Sequence, residues 1–545
     1  MNRGRAGART VPHHVATMCL ATLGLAGLAV QLAACGGGGN TSSSASASGA
    51  GPVPITYTVG GTVSGLTGSG LMLQVNGGDT LAVAASATSF TFTNAFSAGQ
   101  SYTVTVSAQP ANPAQHCTLS NASGSIGSAS VNNVAVSCAA AAAANVATIT
   151  LDSFNNNSGG NTPYVTVTLC QPGSTANCQT IDHITVDTGS FGLRILASAI
   201  TSPGLLAALP NVNGGSGPFL AECQQFGSGY TWGSVRSVDF SIPNTGESVA
   251  GLPVQIIGDL EPAPQACRTQ AVVSGQMLGN TGYLTPAAFG ANGLIGVGPF
   301  PQDCGACASV AQPTSNGVTY LVYTNCSSAT ASSTCSTAGT RVPLAKQVIN
   351  PVSDFSVDNN GVILTLPAVS ATGVASLSGT MTFGIATPAG NNGLGNATVY
   401  LADPSSAYVT TVYKGATDTH SFIDSGSNGL YFNDSTLTQC TGSAKGFFCP
   451  GGSSSPYNAG GSSSVGETAT FEDYNGMRPT PIAFTVENAY LTNEVAAGLT
   501  GPGTANEFDW GVPFFFGRTV YTAIGYTATG APITIGSYAA PFYAF

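Results

Sequence analysis

One phrase of this chain is written twice. From His183 to Ile195 it reads His-Ile-Thr-Val-Asp-Thr-Gly-Ser-Phe-Gly-Leu-Arg-Ile, and from His420 to Phe432 it reads His-Ser-Phe-Ile-Asp-Ser-Gly-Ser-Asn-Gly-Leu-Tyr-Phe. The shared frame, His-x-x-apolar-Asp-Ser/Thr-Gly-Ser-x-Gly-Leu, covers eleven positions, and its copies stand 237 residues apart. Such a repeat constrains the chain to a duplicated fold in which each half supplies half of a site.

The chemistry needs the doubling. Apolar residues lead into each Asp, Ile184 and Val186 in the first copy and Phe422 and Ile423 in the second, as in a strand that ends at a cleft. Two carboxylates about 3 Å apart cannot both ionise, so the pair holds one proton between them. One Asp then serves as base toward water while the other, protonated, donates to a carbonyl. Asp187 and Asp424 are therefore the candidate catalytic pair. Gly189 and Gly426 let the backbone approach and present an N–H, and Ser190 and Ser427 offer hydroxyls to the outer carboxylate oxygens.

At these residues the sequence resembles the pepsin-like aspartic proteases, in which each of two lobes supplies one Asp-Thr/Ser-Gly-Ser/Thr motif. Asn292-Gly-Leu-Ile-Gly-Val-Gly298 is similar to the segment that closes the first-lobe active-site loop, with Gly296 as the closing glycine. Phe514-Phe-Phe-Gly-Arg-Thr-Val-Tyr-Thr-Ala-Ile524 resembles its second-lobe counterpart, with Gly517 in that place. Pro343 to Val348, Phe355-Ser-Val357 and Gly379 to Gly384 are similar to the passage between lobes. The same region resembles a group of uncharacterised proteobacterial lipoproteins carrying the repeated motif. The resemblance implies a bilobal double-β domain with an active-site cleft between a first lobe at 146–352 and a second at 353–545. It implies that Thr188 and Ser425 brace the two loops against each other, and that no cofactor or metal takes part.

The resemblance also implies a flap, a hairpin over the substrate with a Tyr before Gly-x-Gly. In Gln225-Phe-Gly-Ser-Gly-Tyr-Thr-Trp-Gly-Ser-Val235 that place is taken by Phe226, followed by Gly227 and Gly229, with Tyr230 four residues on. Phe covers by packing but lacks the hydroxyl, so either Tyr230 supplies that hydrogen bond or the bond is absent. Trp232 belongs either to the flap surface or to its core.

The rest of the chain sets the context. Only 6% of residues are charged while Gly numbers 71, and the apolar residues fall in short Thr- and Val-rich runs broken by Gly, Asn and Pro, the look of an all-β protein. Residues 1–34 read as a lipoprotein signal peptide, with Arg3, Arg5 and Arg9 before an uncharged apolar stretch ending Leu32-Ala-Ala-Cys35. Cys35 is the expected lipid attachment site, and the Gly-, Ser- and Ala-rich 35–53 the tether, which predicts an exported chain anchored to a bacterial membrane, the outer one by analogy. Without the three signal arginines, 9 basic residues face 23 acidic ones, a net charge of −14 that argues against nucleic acid as a partner. The expected partner is a polypeptide substrate, and the expected state a monomer.

Residues 54–139 read as a separate spacer domain of about seven short alternating strands, an immunoglobulin-like β-sandwich, and Ala139 to Ala144 as a boundary. Setting aside Cys19 and Cys35 leaves twelve cysteines, an even number suited to an oxidising compartment. Short separations predict Cys117–Cys138, Cys170–Cys178, Cys326–Cys335 and Cys440–Cys449. Cys304-Gly-Ala-Cys307 has redox-motif spacing, but no thioredoxin-like βαβ pattern surrounds it, which favours two halves of structural disulfides in a loop-rich insert. His183 and His420 stand four residues before each Asp, about 13 Å along an extended strand, so a structural role is expected. His-Glu-x-x-His and Gly-x-Ser-x-Gly are missing from the chain. Two functions follow: a lipid-anchored aspartic endopeptidase, or an inactive surface lipoprotein that grips peptides or partners in the same cleft.

Overall fold

The computed structural model describes residues 55–110, 115–140, 145–154, 160–214, 218–260, 262–268, 272–273, 276–277, 281–315, 318–327, 335–452 and 464–545. The signal segment, the tether with Cys35 and most of the alanine run lie outside the described residues. The protein is all-β, and among the described residues no helix is longer than four residues. Composition favours this: Gly and Pro break many of the apolar runs, whereas Val, Thr and Ile pack well on a pleated surface.

Near the N-terminus two four-stranded sheets share one hydrophobic cluster. Ser89–Thr91, Val59–Ser64, Val131–Ala140 and Gln115–Ser120 form one sheet, and Asp79–Val83, Leu71–Val75, Ser101–Ala108 and Ser123–Ser125 the other. Alternation fills the space between them: Leu71, Leu73 and Val75 are buried while Met72 and Gln74 are only partly covered. Cys117–Cys138 ties adjacent strands of the first sheet.

The remainder is built on a fifteen-stranded sheet and a seven-stranded one. The larger sheet joins the two halves of the duplicated region, since Val146–Leu151 pairs antiparallel with Leu377–Phe383 along six residues. From there it runs through Gly361–Leu366 and Arg518–Ala523 to Phe542–Ala544. The terminal run thus ends as a strand inside the sheet, with Phe542 and Tyr543 buried. The four predicted disulfides are all present. Cys304 and Cys307 are not halves of two bridges as expected but pair with each other, buried beside Val342 and Tyr323, and Cys223 pairs with Cys267.

Candidate functional site

Each repeated Asp ends a strand whose path is set by a parallel neighbour. Cys178–Asp187 runs parallel to Gly293–Val297, with Asp187 opposite Gly296, and Phe191–Leu196 returns antiparallel on the far side of that strand, with Gly192 opposite Gly296. In the second half Ala416–Ile423 runs parallel to Phe508–Trp510, with Ile423 opposite Trp510, and Leu430–Phe432 returns antiparallel to it. The chain between the outer two strands of each trio is the Asp-Thr/Ser-Gly-Ser loop. A Cβ at Gly296 would lie 2.5 Å from the Phe191 nitrogen, so only glycine lets this loop close.

The second-half register corrects one expectation. One step past the Ile423–Trp510 pair, Gly511 stands where Gly296 stands in the first half, and a Cβ there would lie 2.5 Å from the Ser427 carbonyl oxygen. Gly517 is elsewhere: its N–H donates to the Leu366 carbonyl at 3.0 Å, ahead of the Arg518–Ala523 strand. Phe514-Phe-Phe-Gly517 is the longer apolar run before a glycine, whereas Asp509 interrupts the run in Phe508-Asp-Trp-Gly511.

The two loops meet. The Asp187 and Asp424 carboxyls lie within hydrogen-bonding reach of each other. Asp187 Oδ1 accepts from the N–H groups of Gly189 at 2.8 Å and Ser190 at 3.1 Å, and Oδ2 accepts from the Ser190 hydroxyl at 2.5 Å. Asp424 Oδ1 accepts from the Gly426 N–H at 2.7 Å and Oδ2 from the Ser427 hydroxyl at 2.8 Å. Behind them Thr188 and Ser425 interlock through four hydrogen bonds. Each carboxylate also presses on the other loop's glycine, for a Cβ at Gly189 would lie 2.5 Å from Asp424 Cγ and one at Gly426 would lie 2.6 Å from Asp187 Cγ.

The pair is not symmetric. Asp187 is buried and Asp424 half-buried. Burial, then the Asp424 charge and the hydrogen bond to it, push the Asp187 carboxyl well above the usual range, against the opposing bonds from Ser190 and Gly189.

A third carboxyl, not singled out from sequence, stands behind Asp424. Asp509 on the closing strand, opposite Phe422 and Tyr431, is 6% exposed, and its Oδ1 is buried without a partner. Burial and the Asp424 charge push it well above the carboxylate range, with Glu507 and Asp187 adding to the shift and Ser427 opposing it. In the first half a charged network lies alongside the loop instead. Arg194, fully buried, donates to Glu222 at 2.5 Å and Asp303 at 3.2 Å, and the Tyr323 hydroxyl donates to Asp303 at 2.6 Å.

The expected flap is a hairpin. Phe219–Gln225 and Gly229–Ser241 pair with Gln225 opposite Tyr230, and the Phe226 N–H donates to the Gly229 carbonyl at 2.7 Å across the turn. Phe226 is half-buried and Gly227 exposed. Gly229 is required by a close approach, since a Cβ would lie 2.7 Å from the Tyr283 ring. Tyr230 and Trp232 are buried together in a cluster with Leu260 and Ala263, and Cys223–Cys267 clamps the hairpin to the helix Gln265–Arg268. Tyr230 thus lies in the hairpin core. Burial, then the Asp509 and Asp424 charges, raise the Tyr431 phenol, and Tyr283, held beside this hairpin, adds to the shift. The histidines take no part: His183 stacks on Phe154 at 4.3 Å and sits 3.3 Å from Asp152, while His420 packs on Tyr408. Among the described residues no group of three or more His, Cys, Asp or Glu is arranged to hold a metal ion.

The fold and site define an all-β protein in which two copies of one Asp-containing loop face each other. The chain belongs to a family of proteins of unknown function, DUF3443, whose model matches residues 141–545. The match takes in both loops and begins past the N-terminal pair of sheets. No curated protein matches the chain.

Proposed function

We propose that this protein is an aspartic endopeptidase of pepsin-like layout, with the N-terminal domain an immunoglobulin-like spacer and lipid on Cys35 holding it at a bacterial membrane. The observation that carries this reading is the facing pair Asp187 and Asp424, in hydrogen-bonding reach, each oriented by its own glycine N–H and serine hydroxyl. Asp424 takes a proton from water as the water oxygen bonds to the scissile carbonyl carbon, and Asp187 gives its proton to the carbonyl oxygen. Collapse of the diol breaks the C–N bond. The proton on Asp424 goes to the leaving nitrogen, and one hydroxyl proton returns to Asp187.

The test is cleavage of a mixed peptide library by the chain from residue 54 onward across pH 3 to 8, beside D187N and D424N. Loss of cleavage in either variant supports the dyad; a folded, disulfide-bonded wild type that cleaves nothing at any pH overturns the reading. A second reading, an inactive peptide-binding lipoprotein, is favoured by the flap, where Phe226 lacks a hydroxyl and Tyr230 is buried. Lipid attachment is checked separately by labelled fatty acid, whose incorporation C35A should abolish.

A further inference from the structure

One guanidinium joins the first Asp loop to the hairpin. Arg194 stands on the strand that returns from that loop, and its Nη1 donates back to the Phe191 carbonyl at 2.6 Å, one residue past Ser190. Its Nη2 donates the other way, to Glu222 at 2.5 Å and Gln224 at 3.2 Å on the first strand of the hairpin, and to Asp303 at 3.2 Å. The residue at the matching place of the second repeat, Tyr431, bonds within its own loop instead, donating to Asn428 Oδ1 at 2.5 Å. The link to a hairpin therefore belongs to the first half and not to the repeat as such.

The hairpin strand has two faces. Cys223, bridged to Cys267, lies opposite the buried Trp232, and Gln225 lies opposite Tyr230, so these residues face the hairpin core. Glu222 and Gln224 alternate with them and face Arg194. Phe226 follows in the same alternation, where its N–H closes the turn onto the Gly229 carbonyl at 2.7 Å. The two anchors are unequal. Glu222 is fully buried and takes the short bond, whereas Gln224 is half-buried and its amide oxygen competes with two carboxylates for the two protons of Nη2. We propose that Arg194 and Gln224 are positioning residues that set the hairpin tip over the Asp187 loop. Glu222 fixes the base of the hairpin, and Gln224 is the arm that releases when the tip lifts to admit a peptide and re-forms when Phe226 closes on it. The role in peptide binding rests on the peptidase reading, whereas the tether does not.

The test uses the full mature chain, Q224M and Q224E. Met keeps the length of the side chain without its acceptor, while Glu keeps an acceptor for Arg194, and neither removes the buried cation. Hydrogen exchange is followed in the peptide that carries the Phe226 amide. That amide should exchange about tenfold faster in Q224M, the scale of one charge-assisted hydrogen bond, and at the wild-type rate or slower in Q224E. Equal rates in Q224M and wild type overturn the proposal. With a peptide taken from the library cleavage, Q224M should raise KM by about tenfold at little change in kcat, and Q224E should restore it. A lower kcat and a lower unfolding midpoint at unchanged KM would show a merely structural contact and overturn the proposal. A protein that cleaves nothing yet exchanges faster in Q224M refutes the peptidase and supports the tether.

Discussion

Thr188 and Ser425 exchange hydrogen bonds across the junction of the two loops. The Thr188 N–H donates to Ser425 Oγ at 3.1 Å and the Ser425 N–H to Thr188 Oγ1 at 2.9 Å, while the hydroxyls donate onward to the carbonyls of Ile423 at 3.1 Å and Val186 at 2.7 Å. All are buried, so removing one hydroxyl strands backbone groups that water cannot reach. Thr188→Val keeps the shape and should cost about 1–3 kcal/mol in urea unfolding, with Thr188→Ser nearer to wild type. Equal midpoints for Thr188→Val and wild type would show that the exchange adds nothing to stability.

Gly426→Ala tests the close approach directly. The added methyl would sit 2.6 Å from Asp187 Cγ, too near for the pair to keep its geometry, yet Gly426 is exposed and not at positive φ. Cleavage should fall by about 100-fold, the scale of an ångström-sized misplacement, with little change in unfolding midpoint. An active Gly426→Ala would mean that the carboxyls need not be this close.

Removing the Arg194 guanidinium should be among the most damaging single changes. Glu222 and Asp303 are left buried without their cation, a loss of about 3–5 kcal/mol at neutral pH. Burial first, then the Glu222 charge, already hold Asp303 well above the carboxylate range despite Arg194. Arg194→Met should therefore lose less at pH 4, where the acids can protonate, than at pH 7. Chemical denaturation at both values checks the difference.

Glu247 predicts a pH dependence of stability. Burial, then the charge of and hydrogen bond to Asp358, raise its carboxyl to about 7. An acid raised in the folded state binds its proton more tightly there than unfolded, where it titrates near 4.3. Its contribution is therefore fully present below about pH 4 and is lost as pH rises through about 7. Glu247→Gln should flatten the stability curve over that window; an unchanged curve would rule Glu247 out as its source.

Much of this protein can be read before it folds. The Asp-Thr/Ser-Gly-Ser phrases lie within a few contiguous residues, so each loop's carboxylate, glycine N–H and serine hydroxyl could be named from spacing, as could cysteine pairs such as Cys170–Cys178, 8 residues apart. Cys223–Cys267, 44 residues apart, had no such local signal. The place of Gly511 depends on strand register, and Asp509 breaks the apolar run that leads to it; the burial of Tyr230 depends on which strand lies opposite.

An all-β chain with a duplicated Asp loop is legible in the residues, because strand period, turn residues and loop chemistry are all short-range. That Gly511 closes the second loop, that Asp509 lies opposite Tyr431 and that Asp187 is the more deeply buried of the pair emerge on folding. Those depend on strand register and burial between segments far apart in the chain, and a one-residue change of register would turn each side chain to the opposite face.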